Sequence, residues 1–158
     1  MWIHGHQLCE VVKQYKILGQ EDASITPPQL RYSGIALTLY RKIEVERNTN
    51  GVRVINAANP VMLRDKLDID NKAYLLGPGK LITVRTNEII NLPDHIHGGF
   101  TLSVHLAEAG IVYAVNHDIY YGHTGEVKLR LFNSSTNHMV EFTPNMLLGK
   151  IALYEETE

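Results

Sequence analysis

The chain holds one cysteine, Cys9, among 158 residues, and no apolar run approaches the roughly 18 residues that a membrane-spanning helix needs. A single thiol excludes an intrachain disulfide and a multi-thiolate metal centre, and it suits a reducing compartment. Charge of one sign is also lacking: 15 basic against 17 acidic residues gives a net charge of -2. Such a balance draws the chain neither to nucleic acid nor to an acidic membrane, although it leaves room for a local basic pocket. The opening "MWIHGHQLCEVV" has neither the basic start nor the long apolar core of a signal peptide. There is no internal repeat and no low-complexity tract. These absences predict a cytoplasmic protein, in the host cytoplasm if the chain is viral, without membrane or nucleic-acid partners.

A hydrophobic content of 44% over this length is enough for one buried core and too short for two. The expectation is a single domain over 1–158: a helical start to residue 20, a β region from 25 to 154, and a frayed tail at 155–158. Leu8, Val11, Val12, Tyr15 and Leu18 fall at helical spacing with Gly19 as a stop, which predicts one short amphipathic helix. Pro27-Pro28 then forces extended chain. In "SGIALTLYRKIEVE" (33–46) Ile35, Leu37 and Leu39 alternate, predicting a half-buried strand, and "VRVI" reads as a second short strand after the "NTNG" turn. Residues 57–72 read as a surface excursion. Strands are further predicted in "AYLLGPGKLITVRT" on both sides of its turn, in "GGFTLSVHL", "GIVYAV", "EVKLRLFN" and "HMVEF", and in "LLGKIALYE", while "EIINLP" precedes a break at Pro93. Short strands between turns over this span predict a mainly β architecture, closed or sandwiched.

Two histidine pairs, His4/His6 and His95/His97, have the i, i+2 spacing that puts both rings on one face of a strand. Neither is followed by the carboxylate a metal barrel would add, so surface or interface histidines are the plainer reading. "LGPGK" at 76–80 lacks the length and Lys-Ser/Thr of a phosphate loop and has the Pro-Gly order of a type II turn. One cysteine also excludes the zinc-dependent nucleobase deaminases, which need a Pro-Cys-x-x-Cys.

From about residue 73 the chain resembles the dCTP deaminase and trimeric dUTPase superfamily, nearer the deaminase branch. The resemblance rests on "AYLLGPGKLITVRTNEIINLPDHIHGGF", "LAEAGI", "HDIYYGHTGEVKLRLFN" and "TPNMLLGKIALYE", in order over some 90 residues, with "SGIALTL" upstream. It implies a distorted jelly-roll β-barrel forming a homotrimer, with nucleotide sites between subunits, no zinc, and Mg²⁺ arriving on the nucleotide phosphates. It also implies an acid in the 117–125 hairpin or a glutamate on the strand that follows.

The departures from that pattern fall on the chemistry. Tyr120 stands at the hairpin acid, a phenol too weakly acidic to serve as a base near neutral pH. Arg130, a permanent cation, stands at the strand glutamate. Ser103, Val104 and His105 replace an Arg-Ser-Ser, Ala36 replaces an aspartate, and Lys150 replaces a glutamine. Glu126, Lys128 and Arg130 share one strand face, with Glu126 roughly 13 Å from Arg130 and so too far to stand in for it. Asp118, with His117 or His105 as proton partner, is the best surviving acid-base pair, while an Asp at that place is also a common turn acceptor. What remains suits binding. Tyr120, Tyr121 and Gly122 would meet a base, and Ser103, His105, Arg130 and Lys150 would meet phosphates. For the tyrosines packing between subunits is the equal alternative, and for Arg130 a pair with Glu126. The expected function is that of a nucleotide-binding relative with impaired catalysis that binds, sequesters or regulates. The alternatives are a divergent active dUTP diphosphatase or dCTP deaminase, and a trimeric structural module.

Overall fold

The computed structural model describes residues 1–20, 30–31, 34–48, 51–114 and 118–156. In chain order, β1 (Trp2–Ile3) leads into helix α1 (Gly5–Gln14), then β2 (Leu18–Gln20), β3 (Leu30–Arg31), β4 (Gly34–Thr38), β5 (Lys42–Glu46) and β6 (Arg64–Asp68). Next come β7 (Tyr74–Leu76), β8 (Leu81–Ile90), β9 (Ile96–Leu102), the short helix α2 (Val104–Glu108) and β10 (Ile111–Tyr113). The chain closes with β11 (Asp118–Ile119), β12 (Glu126–Asn133), β13 (Val140–Phe142) and β14 (Leu147–Glu155). No helix among the described residues is long and apolar enough to cross a membrane.

Two six-stranded sheets enclose the core. The first runs β11-β9-β14-β4-β3 with β1 added on β14, and the second runs β10-β12-β8-β5-β6 with β2 added on β8. A ribbon of β13 and β7 forms a third, two-stranded piece. All pairings are antiparallel, as hairpins and short crossovers allow. Alternation decides the faces. In β12 Val127, Leu129 and Leu131 are buried while Lys128 is exposed. Leu8 and Val12 of α1 close the core at one end.

Several expectations change. The predicted strand over 33–46 is two strands in different sheets, because the chain leaves β4 at Thr38 and joins the second sheet at Lys42. Ala36 is buried with its neighbours, so β4 is covered on both faces. The "VRVI" segment pairs with no described strand, and Val52 and Val54 are fully exposed. The strand within 57–72 is β6. The strand expected in "KLITVRT" runs on past Thr86, since β8 continues to Ile90. Helix α1 stops at Gln14, with Lys16 in the left-handed region at φ 51°, and Gly19 lies in β2. His4 caps α1 and His6 lies within it, so that pair shares no strand face. Pro27-Pro28 and residues 49–50 of the "NTNG" turn lie outside the described residues.

The most informative irregularity is in β8. Between Arg85 and Ile89 the pairing with β12 slips: Glu126 faces Ile89 while Lys128 faces Arg85. Thr86, Asn87 and Glu88 are thereby turned inward as a buried polar bulge. Each has hydrogen bonds there, as buried polar groups must. Thr86 Oγ1 accepts from Val127 N at 3.0 Å and donates to Glu88 O at 2.8 Å. Asn87 Nδ2 donates to Thr38 Oγ1 at 2.9 Å, Leu39 O at 3.1 Å and Asn145 Oδ1 at 3.0 Å. The Glu88 carboxylate accepts from the Thr38 backbone N–H and, at 2.7 Å, from the Thr38 hydroxyl. This network ties the two sheets together where the chain crosses between them.

Burial raises the Glu88 carboxyl above its ordinary range, against the hydrogen bonds from Thr38 that lower it. A carboxyl raised on folding binds its proton more tightly in the native state, so it favours the fold at low pH. That share is lost as pH rises from the unfolded value through the folded one. The difference in urea midpoint between wild type and Glu88→Gln, measured from about pH 4 to about pH 8, is expected to swing toward the variant as pH rises. A pH-independent difference would show that Glu88 titrates as it does unfolded.

Candidate nucleotide site

The segment from Asp118 to Glu126 is a bridge between sheets. β11 pairs with Gly98 and Gly99 of β9 in the first sheet, whereas β12 pairs with β8 and β10 in the second. The turn between them uses Gly122 at φ 75° and Gly125 at φ 105°, values that favour residues without a Cβ. It is anchored to the end of β8 and the residues after it, since Ile90 N donates to Gly125 O and Leu92 N to His123 O, both at 2.8 Å. Tyr120 and Tyr121 are therefore held at the seam of the two sheets.

There they line a cleft of about 430 Å³ with Gly122, His123, Glu126 and Lys128. That volume suits a small molecule. Tyr120 is 65% and Tyr121 42% exposed, so aromatic surface faces outward here. Tyr121 packs edge-on against His97 at 5.1 Å, and His97 stacks on Tyr154 at 5.3 Å, which fixes the ring from behind.

A second cleft of about 450 Å³ lies over the outer face of β14 and β9, lined by Ala36, Thr101, Ser103, His105, Gly149 and Lys150 among others. Lys150 stands between Ala36 and Thr101 in register. Gly149 is required beside it: a Cβ there would collide with Thr101 O and lie 2.8 Å from the Phe100 ring. Ser103 is the N-cap of α2, its Oγ accepting from Leu106 N at 3.3 Å, while His105 is exposed.

The predicted residues thus fall into two groups that share no lining residue. Tyr120, Tyr121 and Gly122 form the first, and Ser103, His105 and Lys150 the second. Arg130 lines neither of these clefts. Its Nη2 donates to Glu46 Oε1 at 2.7 Å, so its ion pair is with Glu46 of β5, while Glu126 pairs with Arg85. His117 lies outside the described residues. Asp118 opens β11 opposite Gly99.

Two cleft residues escaped the sequence reading. Glu126, set aside for its distance from Arg130, lies with the tyrosines, because the bulge in β8 and the sheet crossing bring its face to the seam. Its own backbone N–H holds the carboxyl below its usual range, with the Arg85 hydrogen bond at 3.1 Å and nearby cations adding to the effect. It is a stable carboxylate and correspondingly a weak base. His123 lies in the same cleft, and its Nε2 is buried with no hydrogen-bond partner among the described residues. Its only sequence signal is its place between two turn glycines.

The donor set around Lys150 does not fit Mg²⁺, which takes carboxylate and phosphate oxygens. That cleft has no carboxylate among its described lining residues, and Lys150 is one of them. No group of three His, Cys, Asp or Glu side chains able to hold a metal occurs among the described residues.

The dCTP deaminase-like family matches residues 5–156, and the chain belongs to that family. A curated relative, the dCTP deaminase of Wigglesworthia glossinidia brevipalpis, is 31% identical over 98 residues, covering 61% of this chain and 47% of the relative. The chain spans about half the length of that relative. Among solved structures, the 2'-deoxycytidine 5'-triphosphate deaminase of Agrobacterium tumefaciens superposes with a TM-score of 0.72 at 17% identity, over 98% of this chain and 48% of the other. A mutant dUTPase of phage phi11 of S. aureus, whose structure addresses a structural Mg(II) ion, gives a TM-score of 0.58 at 8% identity, over 89% and 90%. The fold is that of these proteins, the expected distorted jelly-roll of a dUTPase-like β-clip, with no closed barrel among the described residues.

Placing a carboxylate at position 130 carries a structural penalty, since it would face Glu46, and both side chains are largely shielded at 20% and 30% exposure. Arg130→Glu is expected to lower stability by about 1–3 kcal/mol, and adding Glu46→Arg should recover part of it. Chemical denaturation of the single and double variants measures both. An unchanged midpoint for Arg130→Glu would mean the pair has no structural weight.

Proposed function

We propose that this chain is a nucleotide-binding member of the dCTP deaminase-like family that binds or sequesters a nucleotide, or regulates through it, without efficient turnover. The observation that carries the reading is the state of the groups at the two acid positions and beside them. Tyr120 occupies the first, Arg130 is engaged by Glu46 at the second, and Glu126, a carboxylate lining the tyrosine cleft, is held ionised by its own N–H and by Arg85. None of the three is a base tuned to neutral pH. Aromatic faces and a lysine remain, and these suit a base and a phosphate chain.

The two clefts contribute complementary halves of such a ligand site, a flat aromatic one and a cationic one. A nucleotide with its base on the tyrosines of one copy and its phosphates on Lys150 of another would belong to a homotrimer with sites between subunits, the assembly that the family resemblance implies. Mg²⁺ bound to the ligand would offset phosphate charge, and Lys150 supplies that charge from the protein side.

An active divergent dUTP diphosphatase or dCTP deaminase is the second reading, favoured by Glu126 and His123 lying in the tyrosine cleft, with Asp118 on the strand that enters it. Thermal-shift titration with dCTP, dUTP and dTTP separates the readings. A bound nucleotide at a hundred times its Kd stabilises the native state by about 2.7 kcal/mol. We expect such a shift, weakened by Tyr121→Ala and by Lys150→Gln, with no product from dCTP or dUTP in the presence of Mg²⁺. Turnover abolished by Glu126→Gln or Asp118→Asn would establish the enzyme instead. No stabilisation by any nucleotide would leave a structural module.

A further inference from the structure

The outer face of the second sheet carries another concavity, of about 450 Å³, walled by Lys42 of β5, Lys66 of β6, Arg85 of β8 and Lys128 of β12, with Thr83 of β8 beneath. Register explains why they converge. Lys66 stands opposite Glu44, Glu44 opposite Thr83, and Arg85 opposite Lys128. Residues two apart in a strand share a face, so Lys42 projects with Glu44, and Thr83 with Arg85. Cations from four neighbouring strands thus meet over one concavity.

Two acids also line it, and each is drawn sideways by an arginine. Glu44 Oε2 lies 3.9 Å from Arg64 Nη1, and Asp68 Oδ2 lies 3.8 Å from Arg41 Nε. Arg85 leans toward Glu126, while Lys42 and Lys66 have no ion-pair partner among the described residues. Like charges crowded on neighbouring strands repel, and an anion between them relieves that repulsion.

Thr83 is a separate sign. It is 8% exposed, its Oγ1 is buried with no hydrogen-bond partner among the described residues, and it lines this concavity. A hydroxyl withdrawn from water without an acceptor is destabilising unless a ligand oxygen meets it. Ammonium groups around one hydroxyl suit an anion with several oxygens, and phosphate is the chemical class that meets all of them.

We infer that this face binds a phosphate-bearing anion, whose oxygens accept from the Thr83 hydroxyl and from the ammonium groups of Lys42 and Lys128. The site is distinct from the Ser103–Lys150 cleft and adjoins the tyrosine cleft, since Lys128 borders both. The phosphate therefore has two sources: a free phosphate or pyrophosphate, or the tail of a nucleotide whose base lies against the tyrosines.

Inorganic pyrophosphate titrated into the full chain at low ionic strength, followed by amide ¹⁵N–¹H shifts, tests the site. Saturable shifts are expected at Lys42, Thr83 and Lys128. Affinity should fall about tenfold in Lys42→Gln and in Lys128→Gln, and several-fold in the near-isosteric Thr83→Val, while Lys150→Gln leaves it in place. A deoxynucleoside triphosphate that displaces pyrophosphate identifies the source as a nucleotide tail, and simultaneous binding identifies a free anion. Amides at Thr83 and Lys128 that do not move, or equal affinity in Lys42→Gln and wild type, would overturn the inference. Such a failure leaves nucleotide binding through Tyr121 and Lys150 standing, because those variants report on it separately.

Discussion

Three consecutive polar side chains, Thr86, Asn87 and Glu88, sit inside an otherwise apolar strand, and the rest of the molecule is arranged around the bulge they make. Buried polar groups are costly without hydrogen bonds, so Thr38 comes to the Glu88 carboxyl, Thr38, Leu39 and Asn145 to the Asn87 Nδ2, and Val127 to the Thr86 hydroxyl, while Asn87 Oδ1 has no partner among the described residues. Those partners belong to β4 and the turn after it, to the approach to β14, and to β12. Meeting them sets where the chain crosses from the first sheet to the second. The same slip in register carries Glu126 toward the tyrosines and lets Arg85 reach it, with the Arg85 guanidinium 5.0 Å above the Tyr40 ring. A structural necessity of the core thus decides which carboxylate borders the cleft and how basic it is.

On the outer face of the second sheet the consequence is an ionic lattice. Arg130–Glu46, Arg64–Glu46 and Arg85–Glu126 run across strands, and each is partly shielded. Such pairs add little stability one by one. Their larger effect is on charge placement: they occupy the acids near the seam and leave Lys42 and Lys66 without an ion-pair partner among the described residues. A face arranged in this way places cations of four strands where the proposed phosphate site needs them.

Much of the architecture was legible in local patterns. The alternation in "EVKLRLFN" and "LLGKIALYE" marked the two long strands β12 and β14, and the Leu8/Val12 spacing marked α1, because burial on one face imposes a period that composition displays directly. Other elements were hidden for physical reasons. "VRVI" has β-branched residues and no strand to pair with among the described residues, so propensity alone misled. Helix α2 is five residues long, too short to show a period, and its only mark is the Ser103 cap. The strand read in "KLITVRT" extends to Ile90, an extension hidden because the buried polar bulge of Thr86, Asn87 and Glu88 interrupts alternation as a strand end would.

Residue identity alone determined that position 130 holds a permanent cation and position 120 a phenol, neither of them a carboxylate. Alternation likewise settled that Glu126, Lys128 and Arg130 share a face, since that is a property of any strand. Only the tertiary structure decided their partners. Arg130 meets Glu46 across 84 positions of sequence, and Glu126 meets Arg85 across 41. Local periodicity reports which way a side chain points. It carries no record of which strand is laid beside it, and that neighbour sets whether a charge is paired, available for a ligand or fit for catalysis.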